Sequence, residues 1–134
     1  MINQESVSSL HKSGFNCAQV VATLCSELSN TAPETAKAAM GGFGGGVRCG
    51  EVCGAVAGAV FSLGMAFPYT DGENLEAKAQ IADLTIRLTN AFRDKYGVLA
   101  CRDLLERFGK PSCEEFMAYA AQLAADIIAE KKSK

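Results

Sequence analysis

The sequence predicts an all-α fold: a single-domain bundle of about five to six helices around a central Gly/Ala-rich helix. Three observations predict it. Apolar residues recur at helical spacing through most of the chain, no strand-like alternation persists beyond about four residues, and glycine and proline fall between the periodic segments. A chain of 134 residues is long enough to bury a core of its own, and residues 1–134 read as one domain without an internal repeat.

The elements follow in order. A short N-terminal helix carries His11, the one histidine. In "NCAQVVATLCSELSN" the apolar set Cys17, Val20, Val21, Leu24, Cys25 and Leu28 marks an amphipathic helix with Asn16 as N-cap. Pro33 suits the first turn of a helix that runs to Met40 and ends at "GGFGGG". The central helix is expected from about Cys49 to Phe67, with Gly50, Gly54 and Gly58 forming a ridge that lets a neighbouring backbone approach. Each helical glycine costs roughly 1 kcal/mol relative to alanine, so close packing or a site must repay it. Thr70 and Glu73 offer a capping box for a long helix through Leu75, Ala79, Ala82, Ile86, Leu88 and Phe92, closed by Gly97. A short helix spans Cys101 to Phe108. Ser112 and Glu115 then offer a second capping box for a last helix with Phe116, Ala120, Leu123, Ala124, Ile127 and Ile128 on its buried stripe.

Composition excludes several classes of function. A net charge of −2 gives no footprint for nucleic acid. The apolar run from Val52 to Phe67 stops at Pro68, short of the ~20 residues that span a bilayer, so no membrane span is expected. The start "MINQESVSSLHKSG" lacks a basic and an apolar segment of signal-peptide type, which points to a cytoplasmic protein.

Six cysteines are many for a reducing compartment, where such a set points to metal binding or redox chemistry rather than structural disulfides. Their placement sharpens the point. Cys17, Cys49, Cys101 and Cys113 fall at expected helix starts, where free N–H groups and the positive end of the dipole favour a thiolate. Cys53 lies one turn after Cys49 on the expected central helix, and Cys25 reads as core. Arg48 and Arg102 add positive charge beside two of the thiols. Familiar motifs are missing: there is no CxxC, and "GGFGGGVR" lacks the Lys-Ser/Thr of a phosphate loop. His11 reads as a surface residue, and the scattered carboxylates as caps and surface charges.

"CGAVAG", Cys53 to Gly58, resembles the CGAxxG core of the redox-active family labelled C_GCAxxG_C_C. "GFNCAQVV" is similar to that family's opening helix, "GGFGGGVRCGEVCGAVAGAVFSLG" to its central segment, and "CRDLL" and "SCEEF" to the segments holding its late cysteines. The resemblance implies a small protein with a presumed redox role and a shared set of Cys53, Cys101 and Cys113, with Cys17 or Cys49 as the fourth.

Three functions compete. The first is thiol redox chemistry, as in a thiol-dependent oxidoreductase, with Cys49 or Cys53 attacking and Cys101 or Cys113 resolving, against a redox partner protein or a small-molecule oxidant or reductant. The second is a metal or iron–sulfur site held by Cys49, Cys53, Cys101 and Cys113, with Cys17 as the substitute for Cys49. Zinc, Cu(I) or a cluster would suit such thiolates, with Gly44, Gly45, Gly46 and Arg48 lining the cofactor. The third is a helical interaction module whose cysteines only pack. A homodimer stands among the options throughout.

Overall fold

Caps and glycines divide the computed structural model, which describes residues 2–133, into seven α-helices: α1 (Gln4–Lys12), α2 (Cys17–Leu24), α3 (Pro33–Met40), α4 (Gly54–Ala66), α5 (Leu75–Tyr96), α6 (Cys101–Phe108) and α7 (Cys113–Lys132). The all-α prediction holds, with one or two more short helices than expected. The caps explain several boundaries. Asn16 accepts from Gln19 N–H while the Gln19 side chain accepts from Asn16 N–H, a reciprocal box that starts α2. Pro33 sits in the first turn of α3. Gly97, at φ 84°, ends α5.

The core lies where α2, α4 and α7 meet, closed by α1 on one side and α5 on the other. Leu63, Leu88, Phe92, Leu104, Met117 and Ile128 are fully buried in it. Removing each such side chain from water stabilises by about 1.5–3 kcal/mol. Phe92, Tyr96, Phe116 and Tyr119 stack edge-on or tilted within this core. Cys25 is buried, as expected, and its thiol donates to the Ala121 carbonyl. No helix among the described residues is long and apolar enough to cross a membrane.

Several boundaries differ from those expected. The central helix begins at Gly54 rather than Cys49, so Cys49 and Cys53 do not share a helix face and Gly50 is outside the ridge. The residues before it form a left-handed turn in which Gly45, Gly46, Val47 and Arg48 all have φ near 60°. Residues 51–53 then pair antiparallel with residues 99–101: Cys53 N–H donates to Leu99 O at 2.8 Å and Cys101 N–H donates to Glu51 O. A single bridge, Val52 opposite Ala100, leaves no periodic trace in a sequence. Asn74, not Thr70, caps α5, accepting from Ala77 N–H. The Ser112–Glu115 box does not form. A tight turn over Lys110–Ser112 directs the Ser112 hydroxyl to Phe108 O, and Glu115 accepts from the Tyr96 hydroxyl at 2.7 Å. Leu28 lies beyond the end of α2 and is exposed, as is Ile86 on α5.

Candidate functional site

Four cysteines stand at four helix starts. Cys17, Cys101 and Cys113 are the first residues of α2, α6 and α7, and Cys53 precedes the first residue of α4. Two features of the backbone bring them together. The 51–53/99–101 pairing sets Cys53 beside Cys101. Glycine on α4 lets α2 press close: a Cβ at Gly54 would lie 3.2 Å from Cys17 Cβ, and one at Gly58 would lie 2.5 Å from Ala18 O. The chain of cause runs from small residues to close packing to convergent thiols.

Cys17, Cys53, Cys101 and Cys113 line a hollow of about 10 Å³, room for one water-sized atom, with Leu104 and Phe116 among its apolar walls. Cys17, Cys101 and Cys113 also reach an open cleft of about 330 Å³, to which His11, Arg48 and Lys110 contribute. Cys53 lines the inner hollow and not this cleft. Thus the thiols form a boundary between an apolar interior and a cationic entrance.

The four thiols are electrostatically unequal. The Cys17 thiol donates a hydrogen bond to Cys113 Sγ, and this, above all, lowers the Cys113 pKa to about 7. Burial opposes the shift, while the charges of His11 and Lys110 reinforce it. The same hydrogen bond, followed by burial and the neighbouring thiols, pushes Cys17 far above the ordinary thiol range. The two shifts have opposite sign and one cause, so of this pair Cys113 is the more readily ionised. Burial pushes Cys53 up to about 11, against the pull of the Ala55 and Val56 N–H groups. Burial and then Cys113 raise Cys101. His11 Nδ1 lies 2.7 Å from Glu114 Oε2, and this contact holds the Glu114 carboxyl below its usual range.

A family model described as "Putative redox-active protein (C_GCAxxG_C_C)" matches residues 15–127. The chain belongs to the C_GCAxxG_C_C family. No curated protein and no solved structure matches it. In this member of the family, the cysteine that the structure sets beside Cys53, Cys101 and Cys113 is Cys17. Cys49 lies elsewhere: it is exposed, and its thiol donates to its own turn at Gly46 O, 3.4 Å away.

The glycine loop divides in the same way. Gly45 and Arg48 line the cleft. Gly44 packs on Asn16, and Gly46 packs against Glu51 and Cys101, each where a Cβ would collide. Arg102 does not face the thiols but clamps this turn, donating to Gly50 O, Cys49 O and Glu51 Oε1. Val47 and Arg48 have left-handed backbone, which costs roughly 1–2 kcal/mol per non-glycine residue, so the turn needs such a clamp. His11 and Lys110 were invisible as site residues in the sequence. His11 meets Glu114 across 103 positions, and no local pattern encodes that contact. Among the described residues no group of three or more His, Cys, Asp or Glu side chains stands in position to hold a metal ion.

Proposed function

We propose that this chain performs dithiol–disulfide exchange, with Cys113 attacking and Cys17 resolving. The observation that carries the reading is the convergence of these two cysteines, each at a helix start, on one hollow and one open cleft, where the hydrogen bond from Cys17 holds the Cys113 pKa down to about 7. Thiolates, not thiols, are the nucleophiles of exchange. Cys113 S⁻ attacks one sulfur of a substrate disulfide, forming a mixed disulfide and releasing the other half as thiolate. The Cys17 thiol, now without its acceptor, gives up its proton to a leaving thiolate and attacks Cys113 Sγ. This step forms the Cys17–Cys113 disulfide and expels the second half. Two protein thiols are oxidised and one substrate disulfide is reduced, two electrons in all. Cys53 and Cys101, whose pKa values are raised, complete the cluster as protonated neighbours.

Alkylation with iodoacetamide across pH, read peptide by peptide, tests this. Cys113 is expected to be labelled first, with half its maximal rate near pH 7. Its rate falls below that pH because the proton then occupies the nucleophile. Mild oxidation is expected to give a Cys17–Cys113 disulfide. Equal rates at all four cysteines, or oxidation that joins other residues, would overturn the assignment. Replacing Cys49 by serine is expected to change neither the labelling profile nor the disulfide found by peptide mapping.

A second reading has its own support, since four sulfur donors from four helix starts face one hollow of about 10 Å³. Thiolates in such number suit zinc or an iron–sulfur centre. Exchange is favoured because the side chains do not stand in ligating positions. Elemental analysis of protein prepared without oxygen separates the two: stoichiometric zinc or iron, lost on replacing Cys53 by serine, would favour the metal.

A further inference from the structure

The cleft outside the thiols differs in chemistry from the hollow inside them. Its volume of about 330 Å³ falls in the range of small-molecule sites, roughly 300–1,000 Å³, and far exceeds what one metal ion needs. Arg48 and Lys110 line it, and among the described residues neither has an acidic partner within ion-pair distance. Glu114 is held by His11, and Glu51 by Arg102. A chain of net charge −2 therefore keeps two cations without an acidic partner, among the described residues, at a cleft that Cys17, Cys101 and Cys113 also line. Arg48 is held there by left-handed backbone (φ 59°, ψ 11°) in a clamped turn.

We propose that this cleft binds a small anionic disulfide, one bearing a carboxylate on each half, with Arg48 and Lys110 holding the carboxylates and the sulfurs lying over Cys113. Guanidinium and ammonium groups are the usual partners of carboxylates, and a cleft of one sign raises the local concentration of oppositely charged ligand. The concave entrance and half-buried thiols favour a low-molecular-weight substrate over a folded protein. The sulfur half of this proposal rests on the exchange reading; the carboxylate half does not. The reaction is the exchange written above, with the small disulfide reduced to two thiols and the Cys17–Cys113 pair oxidised.

The test uses three disulfides on the full chain: dithiodiglycolate (anionic), hydroxyethyl disulfide (neutral) and cystamine (cationic). Each oxidation rate is normalised to that of a free thiol with the same reagent. Dithiodiglycolate is expected to react about tenfold faster than the neutral disulfide, and cystamine more slowly than either. The preference should shrink in about 1 M salt, where the screening length falls to about 3 Å. It should also disappear in an Arg48→Asn/Lys110→Gln variant, asparagine being a residue that tolerates left-handed backbone. Because Lys110 also acts on Cys113, the neutral disulfide serves as the internal reference for general loss of reactivity. No preference in the wild type, or the same preference in the variant, overturns the proposal.

If no disulfide oxidises the protein, the exchange reading fails and the cleft is judged by binding alone. Thiodiglycolate, a thioether that cannot exchange, is then titrated by calorimetry. Binding to the wild type that weakens at least about tenfold in the variant sustains the anion site. No binding to the wild type overturns it.

Discussion

A Cys17→Ser variant is expected to stall as a mixed disulfide on Cys113, and a Cys17→Ala variant to react more slowly from the start. The two substitutions remove different halves of what Cys17 does. Serine keeps an O–H that can donate to Cys113 Sγ, so the attacking thiolate persists, but it has no sulfur with which to resolve. Mass spectrometry after a short exposure to a disulfide should find one substrate half retained on Cys113. Alanine removes the donor as well, and the donor is the leading cause of the low Cys113 pKa. If Cys113 returns to the ordinary thiol range, its thiolate fraction at pH 7 falls from about a half to a few parts in a hundred or less. A more basic thiolate is intrinsically more nucleophilic, with a Brønsted slope of about 0.4–0.5. The net loss at pH 7 is therefore about threefold to eightfold, not the full loss of thiolate. Well above pH 9 the sign reverses, and the alanine variant should be the faster of the two. Cys113→Ser should abolish both reactions. If Cys17→Ser turned over as freely as wild type, Cys17 would not be the resolving thiol, and Cys53 or Cys101 would take that place.

Sequence and structure agree and part company for identifiable reasons. Helical periodicity and cap chemistry are local, and so the all-α class, the Asn16 cap and the Pro33 start could be read directly. Placement of cysteines at helix starts is also local, and it correctly singled out Cys17, Cys101 and Cys113 as first-turn residues. The fold assigns the partner of Cys53 by two devices, one long-range and one local, that periodicity does not register. One is the short pairing of residues 51–53 with 99–101, which breaks the apolar run into an extended piece and a helix. The other is the left-handed turn at Gly45–Arg48, which carries Cys49 outward. Val47 gave no warning, since a β-branched residue is a poor candidate for positive φ. The cationic cleft is the least legible part because His11, Arg48 and Lys110 come from three separated segments and meet only in the folded chain.

The glycines of α4 supply an opposed pair of expectations on one helix. Gly58→Ala places a Cβ 2.5 Å from the Ala18 carbonyl oxygen and 3.1 Å from Val21 Cβ, so α2 must move away from α4. At Gly64 a Cβ meets nothing within 4 Å. Helix propensity favours alanine at both sites by roughly 1 kcal/mol. Overpacking a closely fitted interface costs about 1–3 kcal/mol, and here the obstacle is backbone, which cannot rotate aside. The expected result in urea unfolding is that Gly64→Ala raises stability by up to about 1 kcal/mol while Gly58→Ala lowers it by up to about 2 kcal/mol. The same displacement acts on the site, because Ala18 follows Cys17 and moves with it. Gly58→Ala should therefore also weaken the hydrogen bond to Cys113, moving the pH midpoint of Cys113 alkylation upward while Gly64→Ala leaves it near 7. A Gly58→Ala protein of wild-type stability with an unmoved midpoint would show that α2 does not rest on this ridge. A less stable protein with an unmoved midpoint would separate the packing of α2 from the placement of Cys17, and the cause of the thiol cluster would then lie in the 51–53/99–101 pairing alone.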